Sequence, residues 1–238
     1  MDTNQTQSET IICRNCGREG SQQYCGHCGQ QLDAHRISTT HLLHEVLHTF
    51  MHFEKGFLYT IRELALRPGI VQKRYLQGIR LHYQKPFPLF AISGTICALA
   101  LYLIYRHAPN QTDQFFYKHY YFLVQSCMLP VYAAITFFMF RSRSLNFAEA
   151  LVLNVYMVGF MAVFIVPINF FSLLLPNGII SLMEVIFLVG YSTWTFLNFF
   201  DDKKTGWVIV KSVISICACY LAFQYASRGV MFLFMQGE

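Results

Sequence analysis

The sequence predicts an all-α polytopic membrane protein: a five-helix transmembrane bundle preceded by a small N-terminal cysteine ribbon and juxtamembrane amphipathic helices. Three observations carry this. Five apolar stretches fill the chain after residue 86, each near the ~20 residues that cross a bilayer as a helix. Charge is thin: 13% of the 238 residues are Asp, Glu, Lys or Arg, against about a quarter in a soluble domain. Four cysteines stand in the first thirty residues as C-x2-C-x8-C-x2-C, namely Cys13, Cys16, Cys25 and Cys28.

Residues 1–11 are polar and predict a disordered tail, with no basic and apolar signal-peptide pattern. Residues 12–32 hold the cysteine ribbon. Two CxxC pairs offer four thiolates at tetrahedral Zn²⁺ spacing, and a closed all-sulfur shell is structural rather than catalytic. One structural Zn²⁺ is therefore the expected cofactor. Gly17 and Gly29, each following a CxxC, suit the tight turn that aims backbone N–H groups at sulfur. A disulfide pair is the alternative; a reducing cytosolic location disfavours it. The other cysteines, Cys97, Cys127, Cys217 and Cys219, lie in apolar runs and read as small hydrophobes.

Residues 33–86 predict cytosolic or interfacial amphipathic helices. Leu43, Val46, Leu47, Phe50, Phe57, Ile61 and Leu64 recur at spacings of three and four, and Pro68-Gly69 ends that pattern. A second amphipathic piece follows over about 70–86. With no large core in view, both pieces are expected to lie on the membrane surface. Tyr75 and Tyr83 suit the headgroup layer, Gly78 allows a bend, and Arg74, Arg80 and Lys85 can pair with lipid phosphates. Generic anchoring of the basic residues, without lipid specificity, is the competing reading.

The five spans are expected at about 87–105, 120–140, 147–174, 178–200 and 206–226, within a membrane domain of 87–228. Pro130 and Pro167 fall inside two of them and predict kinks. Ten of the 18 Lys and Arg residues precede Pro86, and Arg141, Arg143, Lys203 and Lys204 occupy the short loops on the same side. Only Arg106, Lys118 and Arg228 fall on the other side, which by the positive-inside rule gives a cytosolic N-terminus and an outside C-terminus. Residues 229–238 read as a short tail, too short to span, that re-enters or lies flat.

His44-Glu45-Val46-Leu47-His48 spells HExxH on a helical stretch. Two histidines one turn apart can bind Zn²⁺ while the glutamate activates water, which makes a membrane metallopeptidase the alternative function. Against it, His41, His44, His48 and His52 share one helix face, so a His-rich polar stripe explains the match. No third ligand stands out; Glu54, Glu63 and Asp201-Asp202 are the candidates.

Glu149, Asn154, Asn169, Glu184, Asn198 and Lys211 are the notable polar residues in or near the spans. Ionisable residues at depth are expensive and face a bundle interior. An interhelical hydrogen bond is the plainer reading for Glu184, and an ion or substrate path is the alternative, which makes a transporter or channel the third function class. Glu184 and Lys211 fall at opposite ends of the bilayer and are not expected to pair. The ribbon carries only Arg14 and Arg18, too little positive charge for nucleic acid.

The CxNCG…YCGHCGQ ribbon, followed by Leu66-Arg67-Pro68-Gly69, Tyr75-Leu76-Gln77-Gly78-Ile79-Arg80, Tyr83 and Pro86-Phe87, resembles a bacterial membrane family catalogued as domain of unknown function 3667. The likeness covers residues 13 to about 100. Ile79 departs from it, standing where the family pattern has a basic residue. The resemblance implies a bacterial inner membrane and this architecture; it implies no activity. The spans also resemble the five-helix Yip1-type bundle over about 140–215, through Phe147-x-Glu149-Ala150-Leu151 and through Trp207 and Lys211 at the start of the last span. With a closed zinc site and no complete catalytic set, the expected role is a non-enzymatic membrane scaffold or adaptor. Its expected partners are the lipid bilayer, a protein held by the ribbon and an anionic lipid; an oligomer stays open.

Overall fold

The computed structural model describes residues 11–21, 23–32, 37, 56–106, 120–141, 145–200 and 205–235. The HExxH residues His44, Glu45 and His48 lie outside them, as do His41, His52, Glu54 and the Asp201-Asp202 pair.

The ribbon opens with two short antiparallel strands, β1 (Ile11–Ile12) and β2 (Glu19–Gly20), in the register Ile11↔Gly20 and Ile12↔Glu19. A single bridge pairs Tyr24 with Gln31. Its core is only Cys13, Cys25 and Leu32, with Cys16 and Cys28 packed beside them.

Two short helices follow, α1 (Phe57–Leu66) and α2 (Ile70–Leu76). The five spans are α3 (Pro86–Tyr105), α4 (Tyr121–Met139), α5 (Phe147–Phe170), α6 (Asn177–Phe200) and α7 (Thr205–Met235). All five are long and apolar enough to cross a membrane. A 3₁₀ turn at Phe171–Leu173 links α5 to α6. Pro130 and Pro167 sit inside α4 and α5, and both helices continue through them.

Helix α5 is the axis of the bundle, packing on α3, α4 and α6, while α7 closes against α4 and α6. Outward-facing positions stay apolar: Leu99, Phe138, Ile186 and Leu221 are exposed, as lipid-facing side chains should be. The N-terminus of α5 carries a capping box: the Glu149 N–H donates to Asn146 Oδ1 at 2.7 Å and the Asn146 N–H to Glu149 Oε2 at 2.9 Å. Asn146 Nδ2 also donates to the Ile37 carbonyl at 3.1 Å, tying that residue to the bundle.

Two expectations are corrected. The predicted tail from residue 229 is instead the last part of α7, which runs to Met235. A lone Gly229 costs a helix only about 1 kcal/mol, and nothing after it breaks the pattern. Nor do α1 and α2 lie as independent helices on the bilayer. Leu64, Val71, Tyr75 and Tyr83 are buried in one core with Leu153, Tyr156, Phe160 and Phe196 of α5 and α6. Residues 57–85 are a cap packed onto one end of the bundle. The bundle supplies an apolar surface that competes with lipid for the same amphipathic faces.

Buried tyrosines bolt that cap down. Tyr156 of α5 donates to the Gln84 carbonyl at 2.6 Å and meets the Tyr75 ring edge-on at 5.4 Å. Tyr191 of α6 donates to the Leu64 carbonyl at 3.3 Å. Thr60 Oγ1 accepts the Gln84 N–H at 2.8 Å, closing the start of the cap onto its end.

Candidate metal centre and its membrane cap

The two CxxC segments are built alike. In the first, the Gly17 N–H returns to the Cys13 carbonyl and the Cys13 N–H donates to the Arg18 carbonyl, both at 2.8 Å. In the second, Gly29 returns to Cys25 and Cys25 donates to Gln30, again at 2.8 Å. Each loop turns at a glycine with positive φ, +74° at Gly17 and +76° at Gly29, where a side chain would be strained.

The repeat brings the four sulfurs within 4.8 Å of one another. Cys13 Sγ lies 3.6 Å from Cys28 Sγ, and Cys16 Sγ lies 3.6 Å from Cys25 Sγ. A tetrahedral shell with metal–sulfur bonds of about 2.3 Å has sulfur–sulfur edges of about 3.8 Å. The donor set thus fits a single metal ion, which these four cysteines could hold.

The local field also suits a cation. The Gln30 N–H, then Asn15, lower the Cys28 pKa to about 6. The N–H groups of Cys28 and His27 lower that of Cys25. At Cys16 the Arg18 N–H pulls downward, yet burial and the hydrogen bonds to Cys25, Cys28 and Cys13 carry the thiol up to about 12. Four thiolates this close cannot all ionise alone; a bound cation removes that conflict.

The cluster is fastened to the cap. Gln30, 5% exposed, accepts the N–H groups of Arg80 at 3.3 Å and Leu81 at 3.1 Å through its Oε1. Arg14 Nη1 donates to the Gln77 carbonyl at 3.2 Å. Neither anchor was legible in the sequence, because a Gln after a knuckle carries no pattern of its own. Gln30→Ala should keep the metal while speeding amide exchange at Arg80 and Leu81 in the full-length protein by about tenfold; unchanged exchange there would show that the docking is dispensable.

The residues expected at the lipid surface divide. Arg74 and Lys85 are exposed, but Tyr75 and Tyr83 are 3% and 7% exposed and Gly78 is buried in the turn after α2. Both tyrosine rings are packed against protein in the shared core. Arg80 is half-buried, its Nε donating to the Tyr75 carbonyl at 3.2 Å with the guanidinium 5.3 Å from the Tyr75 ring centre. Arg74 bonds the Tyr83 hydroxyl, which raises the pKa of its guanidinium.

Asn154, Asn169, Glu184, Asn198 and Lys211 find partners in the bundle or its cap. Asn154 Nδ2 donates to Thr136 Oγ1 at 3.0 Å, and Asn198 Nδ2 to the Pro68 carbonyl at 2.9 Å. Asn169 bridges two helices, accepting from the Tyr105 hydroxyl at 2.6 Å and donating to Glu184 Oε1 at 2.7 Å. Lys211 Nζ donates to the Met139 carbonyl at 3.1 Å, capping the end of α4.

The cap is also where the chain resembles other proteins. Residues 54–97 match the family described as Protein of unknown function (DUF3667). That supports the family resemblance read from the sequence. The DUF3667 segment comprises α1, α2, the turn that receives Gln30 and the first half of α3. It reaches neither the cysteine ribbon nor the later spans, so the likeness of those spans to a Yip1-type bundle is without support here. No curated protein and no solved structure matches the chain.

Proposed function

We propose that the protein is a membrane adaptor in which one structural Zn²⁺ holds the Cys13, Cys16, Cys25 and Cys28 ribbon as a fixed docking platform on the cap. The observation that carries this is the double fastening of the ribbon, by Gln30 and Arg14, to residues 77–81. A platform tied in this way presents its free side at a constant position over the bundle. The ribbon's exposed side chains include Ile11, Ile12 and Tyr24, which are 41%, 64% and 54% exposed. Exposed apolar side chains on so small a unit fit a protein partner. Among divalent ions, an all-thiolate tetrahedral site suits Zn²⁺, and its closed shell leaves no position for substrate.

The test is a photo-crosslinking residue at Ile12 or Tyr24 in cells. One discrete protein adduct is expected at both positions, lost in Cys25→Ser and absent when the crosslinker replaces lipid-facing Leu99. No adduct at either ribbon position would sink the adaptor reading.

The charge bias further supports an orientation with the ribbon in the cytosol, in the bacterial inner membrane that the family resemblance implies. Topology reporters fused after Arg143 and Lys204 should then report cytosol, and those after Asn110 and Glu238 the outer side. A cytosolic C-terminus would overturn this orientation. For the peptidase alternative, Glu45→Gln should leave metal stoichiometry and phenotype unchanged, whereas removing a catalytic glutamate typically costs about 10²–10⁴-fold in rate.

A further inference from the structure

Helices α4, α5, α6 and α7 close into a ring: α4 packs on α5 and α7, and α6 packs on the same two. The ring is not filled. A cavity of about 180 Å³ opens between these helices, bordered on α6 by residues from Ser181 to Phe196.

The lining is chemically one-sided. Eight aromatic side chains face it, from Phe90 and Tyr121 to Tyr220 and Phe223. Glu184 is the one carboxylate among the described lining residues, and no Lys, Arg or His is among them. Glu184 is held in place through Asn169, itself fixed by Tyr105. The amide of Gln125 is bound on both sides, donating to the Tyr121 hydroxyl at 3.2 Å and accepting from Tyr132 at 2.9 Å. Gln224 likewise donates to Tyr220 at 2.9 Å.

Such a wall rejects anions, since no basic group offsets their desolvation. It attracts a cation twice over, through the carboxylate and through aromatic faces, which bind quaternary ammonium groups. Size sets the rest. A cavity of about 150 Å³ takes up benzene, so this one suits a body of one ring with a small charged head. We infer that the α4–α7 ring is a binding site for a compact lipophilic organic cation, its charge at Glu184 and its apolar body among the aromatic side chains. This site is independent of the metal ribbon.

The test uses the full-length protein in mild detergent and two probes of one shape: benzyltrimethylammonium, and its uncharged isostere neopentylbenzene. The cation should bind at least tenfold more tightly than the isostere. Glu184→Gln keeps an acceptor for Asn169 and should weaken cation binding about tenfold while leaving the isostere unchanged. Tyr220→Leu, which leaves the Glu184–Asn169 pair intact, should weaken the cation by about threefold or more and serves if Glu184→Gln does not fold. Equal binding of the two probes, no binding of the cation, or cation binding indifferent to both substitutions would overturn the assignment; equal binding would mark the cavity as a site for neutral lipid.

Discussion

Replacing Cys25 with Ser is expected to abolish metal binding and unfold residues 11–32, while the bundle stays intact. The ribbon has almost nothing else to hold it. Its strands are two residues each and its apolar core is Leu32 with the cysteines themselves. Units this small need a metal or disulfides to fold. Structural zinc sites release about 10–16 kcal/mol on binding, and that energy is the folding energy of the unit. One metal ion per chain is expected in the purified wild type and none in the variant. Residues 11–32 should pass from protease-resistant to cleaved. Thermal unfolding of the spans should shift little, because the ribbon is joined to the cap by a few hydrogen bonds rather than through the shared core. A variant that keeps its metal, or a Cys13–Cys28 disulfide in freshly isolated membranes, would refute the metal assignment.

The spans and the cysteine cluster were legible for one shared reason: each obeys a rule that no competing fold satisfies. A run of 20 apolar residues has the length that crosses a bilayer, and C-x2-C-x8-C-x2-C offers two thiol pairs at the spacing of a tetrahedral metal site. The cap was not legible. The spacing of Phe57, Ile61 and Leu64 is the same whether the apolar face meets lipid or protein, so periodicity placed the helices but not their partner. Tyr75 and Tyr83 misled for the same reason, since a tyrosine suits a headgroup layer and also suits a buried position where its hydroxyl has a bond. The Asn146–Glu149 capping box was missed although the sequence carries its signal, an Asn three residues before a Glu at the head of an apolar run. The partnership of Asn169 with Glu184 was not, because a turn of unknown geometry separates them.

The clearest measure of that cap is Gly69→Ala, which should lower the stability of the whole bundle by about 3 kcal/mol or more. Gly69 has φ +82°, a conformation that by itself costs a residue with a side chain about 1–3 kcal/mol. Space adds to the penalty. A β-carbon there would collide with the Thr195 carbonyl oxygen and stand 2.7 Å from the Phe199 nitrogen and 2.9 Å from Asn198 Cβ. Two of those three are backbone atoms of α6, which cannot swing aside as a flexible side chain could. The Asn198 bond to the Pro68 carbonyl holds the turn in this close position. For a chain of this size a loss of about 3 kcal/mol corresponds to a fall in Tm of roughly 6–12 °C. Gly178→Ala is the control, since nothing lies within 4 Å of a β-carbon at that site. Asn198→Ala should be intermediate, losing one hydrogen bond worth about 1–2 kcal/mol. If residues 57–85 merely floated on the bilayer, all three substitutions would leave the melting of the spans unchanged. A silent Gly69→Ala would therefore remove the cap, and with it the support that fixes the ribbon platform.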